Sequence, residues 1–421
     1  MTAGPGGAAG AARPARGRAA DPAMELSAAL PEQMLAAVRL RHELHARPEL
    51  SGREHGTADR VVGAITAGFD GDRTDNGEAA IAVSAVADTG RLVRIGPAGG
   101  PAVAVRAELD ALPLDEHTGA RWSSQVPGAM HACGHDVHLA AAAALARAAA
   151  AVHRAVGLPA ALLLVLQPRE ELSPSGARDV VDSGLLEQQR VRSMIGVHVQ
   201  PQVPPGQVAV DPGVVNAGMD EFTITISGRG GHSAYPHLTR DPVPALCQSV
   251  LAARDAVYVV DPMRPAVVTV GMLQAGTAPN VIGEVAHAHG TVRTMHPSDR
   301  ELLLERLRTV VVGTAAAFGC TGELTVVPGE APLHNDPDLV AAVRARLTGR
   351  PASAATDFRS CGSDDFAAYG EVLPAVMMFL GVADGSPMLH EPRFLPPDRL
   401  VGEAATAMLA GYLGGVDLLP D

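Results

Sequence analysis

Glu221-Phe222-Thr223-Ile224-Thr225-Ile226-Ser227 alternates apolar with polar side chains, the period of a strand with one buried face. Ala161-Leu162-Leu163-Leu164-Val165-Leu166-Gln167 does not alternate, and an unbroken apolar strand needs cover on both faces. Two kinds of sheet in one chain imply two folding units. From Pro31 to about Gly213, strands expected at 102–108, 161–167 and 192–199 alternate with helices expected at 32–45, 138–152 and 176–183, an α/β pattern. Between Asp220 and Pro328 the order changes to strand, helix (242–258), strand (266–273), strand (284–295), helix (298–318), strand (323–327). That is the split βαβ, ferredoxin-like order, and Ser298-Asp299-Arg300-Glu301 reads as a capping box opening its second helix. The α/β pattern then returns, with helices expected at 336–347, 364–371 and 399–412 and a strand at 375–381. The expected division is a disordered leader at 1–25, a first α/β part at 26–214, an insertion at 215–329 and a second α/β part at 330–421.

Composition narrows the partners. At 421 residues the chain exceeds what one hydrophobic core usually organises, consistent with two units. A net charge of -13 argues against nucleic acid and anionic membranes, which require basic patches. All 33 basic residues are arginine, so neither a Schiff-base lysine nor a phosphate-loop lysine is available to any mechanism. Four scattered cysteines, at 133, 247, 320 and 361, are unlike a disulfide framework and suit a reducing compartment. No run approaches the roughly 18 apolar residues of a membrane span. A soluble, cytoplasmic protein acting on small molecules is the expectation.

Met130-His131-Ala132-Cys133-Gly134-His135-Asp136 sets a thiol and an imidazole two residues apart ahead of an alanine-rich helix. A cysteine in that setting alone reads as a small buried hydrophobe. Glu170-Glu171 after the 161–167 strand, His198 near the end of the 192–199 strand, and His390 in Leu389-His390-Glu391-Pro392 change the balance. Ligands of open α/β sheets bind at the carboxyl ends of strands, where Glu170, Glu171 and His198 fall. Cys133, His135, Glu171, His198 and His390 form a donor set for two divalent ions about 3.5–4 Å apart that activate a water and polarise a carbonyl. Thiolate with imidazole favours zinc or a borderline transition ion such as manganese, cobalt or nickel over magnesium or calcium. Glu170, left out of the set, is the candidate general base.

Several stretches together resemble a known family. Met130 to Asp136, Gln167 to Glu171, Gly196-Val197-His198, Gly230-Gly231-His232-Ser233-Ala234-Tyr235-Pro236-His237, Pro279-Asn280-Val281-Ile282 and Gly362-Ser363-Asp364-Asp365-Phe366 are similar to the amidohydrolases that include hippurate hydrolase, N-acyl-amino-acid hydrolases and plant indole-acetyl-amino-acid hydrolases. Arg41-His42-Glu43-Leu44-His45 to Glu49 adds its N-terminal signature, and the likeness spans about residues 30 to 415. The resemblance implies an α/β/α metallohydrolase catalytic domain with a mixed sheet and an inserted ferredoxin-like lid, often a site of dimer or tetramer formation. It implies the same five ligands, Glu170 as base, His232 holding the oxyanion in cis or across a dimer, and Asn280 near the substrate carboxylate. Both also read as turn residues. Arg293, on one alternating face with His287 and His289, reads either as a fork for a substrate carboxylate or as part of a solvated face.

Three positions depart from the family pattern: Val137 stands for a usual glycine, Glu108 for a commoner aspartate, and Arg169 for a small residue. None removes a donor. The expected activity is hydrolysis of an N-acyl amino acid or related amide to a carboxylic acid and an amine. The competing expectations are a dipeptidase or carboxypeptidase on the same scaffold, or a homologue that binds metal or ligand without turnover.

Overall fold

Alternate residues of the strand Ala161–Gln167 enter two separate cores, with Leu162, Leu164 and Leu166 on one side and Ala161, Leu163 and Val165 on the other. That division explains the unbroken apolar run. The computed structural model describes residues 21–69, 80–347, 349, 351–353 and 357–420. Its main sheet has eight strands, in the order Ile81–Val86, Gly90–Ile95, Ala161–Gln167, Ala102–Glu108, Val191–Gln200, Ala375–Gly381, Gln207–Ala209, Ala352–Ser353. The four strands at its centre run parallel, and antiparallel pairs flank them, so the sheet is mixed. Leu40, Leu44, Val61, Leu145 and Met408 bring four helices to one core, and Val180, Leu186 and Tyr369 bring three short helices to the other.

The helix His135–Val156 lies in the first core. By length and apolar composition it is sufficient for a membrane span, which corrects the expectation that no segment reaches that size; 67% of its apolar stretch is buried inside the protein.

The chain from Gly218 to Pro328 folds as a second sheet, ordered Ala266–Ala275, Val285–Thr294, Gly218–Ser227, Thr321–Pro328, with every pair antiparallel. This is the ferredoxin-like order. Phe222, Ile224 and Ile226 meet Leu246, Leu303, Leu307 and Val311 of the helices Pro242–Asp255 and Pro297–Ala317 in a core separate from the other two. The helices cover one face only, as the alternation at Glu221–Ser227 requires.

Some boundaries differ from expectation. The leader drawn to residue 25 is helical from Pro22, with the Asp21 carboxylate accepting from Ala23 N–H, and its first 20 residues lie outside the described ones. The capping box fails because Pro297 already starts that helix behind His296, leaving Ser298 inside it and Asp299 paired with Arg264 at 3.0 Å. The helix expected at 364–371 shrinks to Ala367–Gly370 because Asp364 and Asp365 turn inward to a buried arginine.

Candidate metal centre

Gly134 sets the geometry of the donor-rich stretch. Its φ of 88° is left-handed, and a Cβ there would lie 2.5 Å from Cγ2 of Val199. Only glycine fits. His135 then becomes the first residue of the helix His135–Val156, three residues earlier than the pattern suggested. Cys133 Sγ lies 3.3 Å from His198 Nε2. His198 Nδ1 donates to the Val199 carbonyl and His135 Nδ1 to the Asp110 carbonyl, each at 2.8 Å. Both rings therefore keep the Nε2 lone pair free, the way backbone acceptors fix a ligating tautomer. His135 Nε2 is buried without a hydrogen-bond partner among the described residues.

His390 reaches the group from the far end of the chain. Its φ of 66° is strained for a non-glycine residue, and its N–H is held by the Ala132 carbonyl at 2.9 Å. Its Nε2 lies 3.3 Å from Glu171 Oε1. Donor atoms of Cys133, His135 and His198 lie within 4.8 Å of one another, as do those of Cys133, Glu171 and His390 and those of His135, Glu170 and Glu171. Cys133 is common to two of these triads. Mixed sulfur, nitrogen and oxygen donors around a shared thiol and an orphaned imidazole nitrogen fit a pair of borderline transition ions.

The group gathers thiol and carboxylate in a buried setting, and their proton affinities diverge. Burial, then the charges of Glu171, Glu170 and Glu108, push the Cys133 thiol well above its usual range. Burial, then Glu171, Asp364 and Asp365, push Glu170 well above the carboxylate range. Burial also raises Glu171, but the hydrogen bond from His390 and the charge of His135 outweigh it and hold that carboxyl low.

A polar layer supports the donors, and sequence reasoning missed its centre. Arg106 is buried in the strand Ala102–Glu108 and bonds Glu108, Asp365 at 2.7 Å and Asp364 at 3.2 Å. Glu108, noted only as a departure, accepts from His138 Nδ1 at 3.0 Å, and His138 Nε2 accepts from Val199 N–H at 3.0 Å, beside His198. The available signal was a charge inside a strand covered on both faces, which must be paired. Asp110 accepts from Glu171 N–H at 2.9 Å and fixes the loop carrying the two glutamates.

A second layer ties the helix Met34–His45 to the same region: Asp136 accepts from Arg41 at 3.0 Å and His45 at 3.1 Å, and His45 also meets Glu116 at 3.2 Å. Burial pulls His45 toward neutrality, but the charges and hydrogen bonds of Asp136 and Glu116 outweigh it and raise its pKa from 6.5 to about 9. Stability from a pKa raised by folding is complete below the unfolded value and is lost as pH climbs through the folded one. The unfolding free energy read from denaturant titrations should thus fall between pH 6.5 and 9, by up to roughly 3 kcal/mol, and His45→Gln should flatten that decline.

One cavity, of about 440 Å³, is lined by Cys133, Glu170, Glu171, His198, His390 and Arg293 among others. Arg293 donates to the Cys361 carbonyl at 3.1 Å and Ser363 Oγ at 3.2 Å, while His287 and His289 on the same face bond Thr225 and Thr223. His232 and Asn280 are brought to each other but not to this cavity. They lie on an exposed two-stranded ribbon pairing Gly231–His232 with Val281–Ile282, where Ser233 N–H donates to the Asn280 carbonyl at 3.1 Å.

Residues 104–411 match the profile of peptidase family M20/M25/M40. The chain is 34% identical over 369 residues to the N-acetyldiaminopimelate deacetylase of Exiguobacterium sibiricum, covering 87% of this chain and 95% of that protein. It is 34% identical to the N-acetylcysteine deacetylase of Bacillus subtilis, over 85% of this chain and 90% of the relative. A solved structure from Bacillus subtilis, the YXEP protein described as a dinuclear metal-binding M20 peptidase, superposes with a TM-score of 0.76 at 28% identity, covering 92% of this chain and all of that one.

Proposed function

The chain belongs to peptidase family M20/M25/M40, and on that premise we propose that it is a metal-dependent amidohydrolase releasing a carboxylic acid and an amine from small N-acyl amino acids. The observation that carries the reading is the pair of donor triads sharing Cys133, with Glu170 beside them in the one cavity. Cys133, His135, Glu171, His198 and His390 would hold two divalent transition ions, Cys133 being the donor common to both triads. When bound, these ions supply Lewis-acid polarisation of the acyl carbonyl and acidify water. Glu170 takes the proton of the attacking water and returns it to the leaving nitrogen, so one buried carboxylate serves both transfers. Arg293 orients the substrate by its carboxylate. The layer of Arg106, Glu108 and His138 keeps the donors from rotating.

Residues 215–329 are assigned as a lid inserted between catalytic parts 26–214 and 330–421. His232 stands exposed outside the cavity, so it meets the tetrahedral oxyanion only after the lid closes or from a second copy of the chain, and a dimer or tetramer through the lid suits the latter. Asn280, on the same ribbon, would move with it toward the substrate. Four free cysteines support placement in the reducing cytoplasm.

Metal-supplemented protein should release amine from some member of a panel of acetyl, benzoyl, long-chain acyl and indole-acetyl amino acids. A chelator should abolish the release and added divalent ion should restore it. Cleavage of free dipeptides in preference to the acyl panel would favour a peptidase. No release from either set, with metal bound, would leave only a binding protein.

A further inference from the structure

The stretch Arg41-His42-Glu43-Leu44-His45 ends the helix Met34–His45, and Arg41 is fully buried there. A buried guanidinium must find acceptors for its whole fork of donors. Arg41 Nε donates to Asp136 at 3.0 Å, one residue past His135. Its other two nitrogens donate to Asp398 at 2.7 Å and to the Pro396 carbonyl at 2.5 Å, on the segment leading from His390 into the helix Arg399–Asp417. The Trp122 ring lies 4.9 Å from the guanidinium carbon, and His42 stacks on that ring while meeting Asp398 at 2.9 Å. One side chain therefore joins two distant stretches of chain, the one that delivers Cys133 with His135 and the one that delivers His390.

The two stretches do not depend on it equally. Asp136 also has His45 at 3.1 Å, and His135 has the Asp110 carbonyl at 2.8 Å. On the other side, His390 N–H donates to the Ala132 carbonyl at 2.9 Å and His117 N–H to the Pro392 carbonyl at 2.7 Å, while Phe394 and Pro396 lie against Gly134. The His390 side chain is 51% exposed, and its φ of 66° is a conformation that a non-glycine residue keeps only while its surroundings enforce it.

We propose that Arg41 is a positioning residue for the metal centre: by clamping Pro396 and Asp398 to Asp136 it keeps His390 beside Cys133 and Glu171, and so sets the affinity of one ion of the pair. The inference rests on the two-ion reading above and adds the residue on which one of the ions depends. Among the described residues, the triad with Cys133 and Glu171 is the one that contains His390, whereas Cys133, His135 and His198 gather without it. Loosening the clamp lets the strained His390 backbone relax and its imidazole withdraw. The Cys133, His135 and His198 triad keeps its own anchors.

The test titrates metal-free full-length protein with zinc by calorimetry and counts bound zinc by elemental analysis. The native chain should take two ions. Arg41→Lys and Asp398→Ala should each weaken one ion by at least about tenfold, as loss of an outer-layer partner does at metal sites, and leave the other within about twofold. The Asp398 side chain is 43% exposed, so its variant tests the clamp even where Arg41→Lys does not fold. Asp417→Ala, which breaks an exposed ion pair with Arg346, should change neither affinity. A general loss of structure would weaken both ions together, and only the clamp predicts the split. Native affinity for both ions in Asp398→Ala, or equal weakening of both, would overturn the proposal. A native chain that takes fewer than two ions would instead remove the two-ion reading, and the clamp with it.

Discussion

Glu170→Gln should lower kcat/KM about a thousandfold while the protein keeps its metal complement and its fold. Glutamine matches glutamate in shape, so packing is preserved, but its carboxamide cannot accept and return a proton. Positioned general acid–base groups contribute on the order of 10²–10⁴ in rate, and here one residue would serve both transfers, which argues for the middle of that range or above. Metal should stay because Glu170 is the one member of the donor cluster assigned no ion. Its Oε2 lies 3.8 Å from His135 Nε2, while five other donors remain to hold the pair. Stability should hold or rise, since the carboxylate sits within reach of Asp364 and Asp365, and like charges packed together oppose folding. Elemental analysis, thermal midpoint and steady-state kinetics on one preparation separate these effects. Full activity in the variant would remove Glu170 from the mechanism, and loss of metal would make it a ligand instead.

How much of this was legible follows from which forces are local. The unbroken run at 161–167 and the alternation at 221–227 report burial directly, so both sheets and the split βαβ order could be read from them. That Cys133, His135, Glu171, His198 and His390 converge was legible because thiol, imidazole and carboxylate at strand ends have few other uses in combination. Helix boundaries were less so. Gly134 caps the helix at His135 by a left-handed turn that a count of apolar residues does not register, and Ser298 was outbid as a cap by Pro297 one residue earlier. His232 and Asn280 are expected at the substrate from the resemblance alone; the structure sets them on one ribbon outside the cavity, a distance that depends on how two sheets are set and not on any local pattern. Arg106 was overlooked for a similar reason: its partners Asp364 and Asp365 lie more than 250 residues away, on a segment whose sequence reads as a helix start.

That overlooked residue gives the largest expected effect on stability. Arg106→Leu should destabilise the chain by about 3–5 kcal/mol, the usual result of stripping one partner from a buried ionic cluster. Leucine fills part of the space, so the loss is electrostatic more than steric. Glu108 is 1% exposed and Asp364 6%, and each would lose its counter-ion in a medium that solvates charge poorly, while Asp365, 2% exposed and already raised by burial to about 7, would be pushed further toward its neutral form. The pH dependence identifies the cause. In the native chain burial pushes the Glu108 carboxyl up, but Arg106 and His138 overcome this and hold it well below its usual range, so its contribution is present at neutral pH and lost on acidification. Without Arg106 the balance reverses: the folded state gains by binding protons that the unfolded state releases. The variant should therefore gain stability more steeply than the native chain as pH falls from 7 toward 5, since in the native chain only Asp365, raised by burial to about 7, contributes to such a gain, whereas in the variant Glu108 joins it. Adding Asp365→Asn to Arg106→Leu should recover part of the loss, because it removes the cost of either ionising or protonating that buried carboxyl and one negative neighbour of Asp364. Denaturant midpoints for the single and double variants at both pH values provide the measurement. A loss that neither acid nor the second substitution relieves would mean that Arg106 acts by packing, and that the carboxylates beneath the metal donors do not depend on it for their charge.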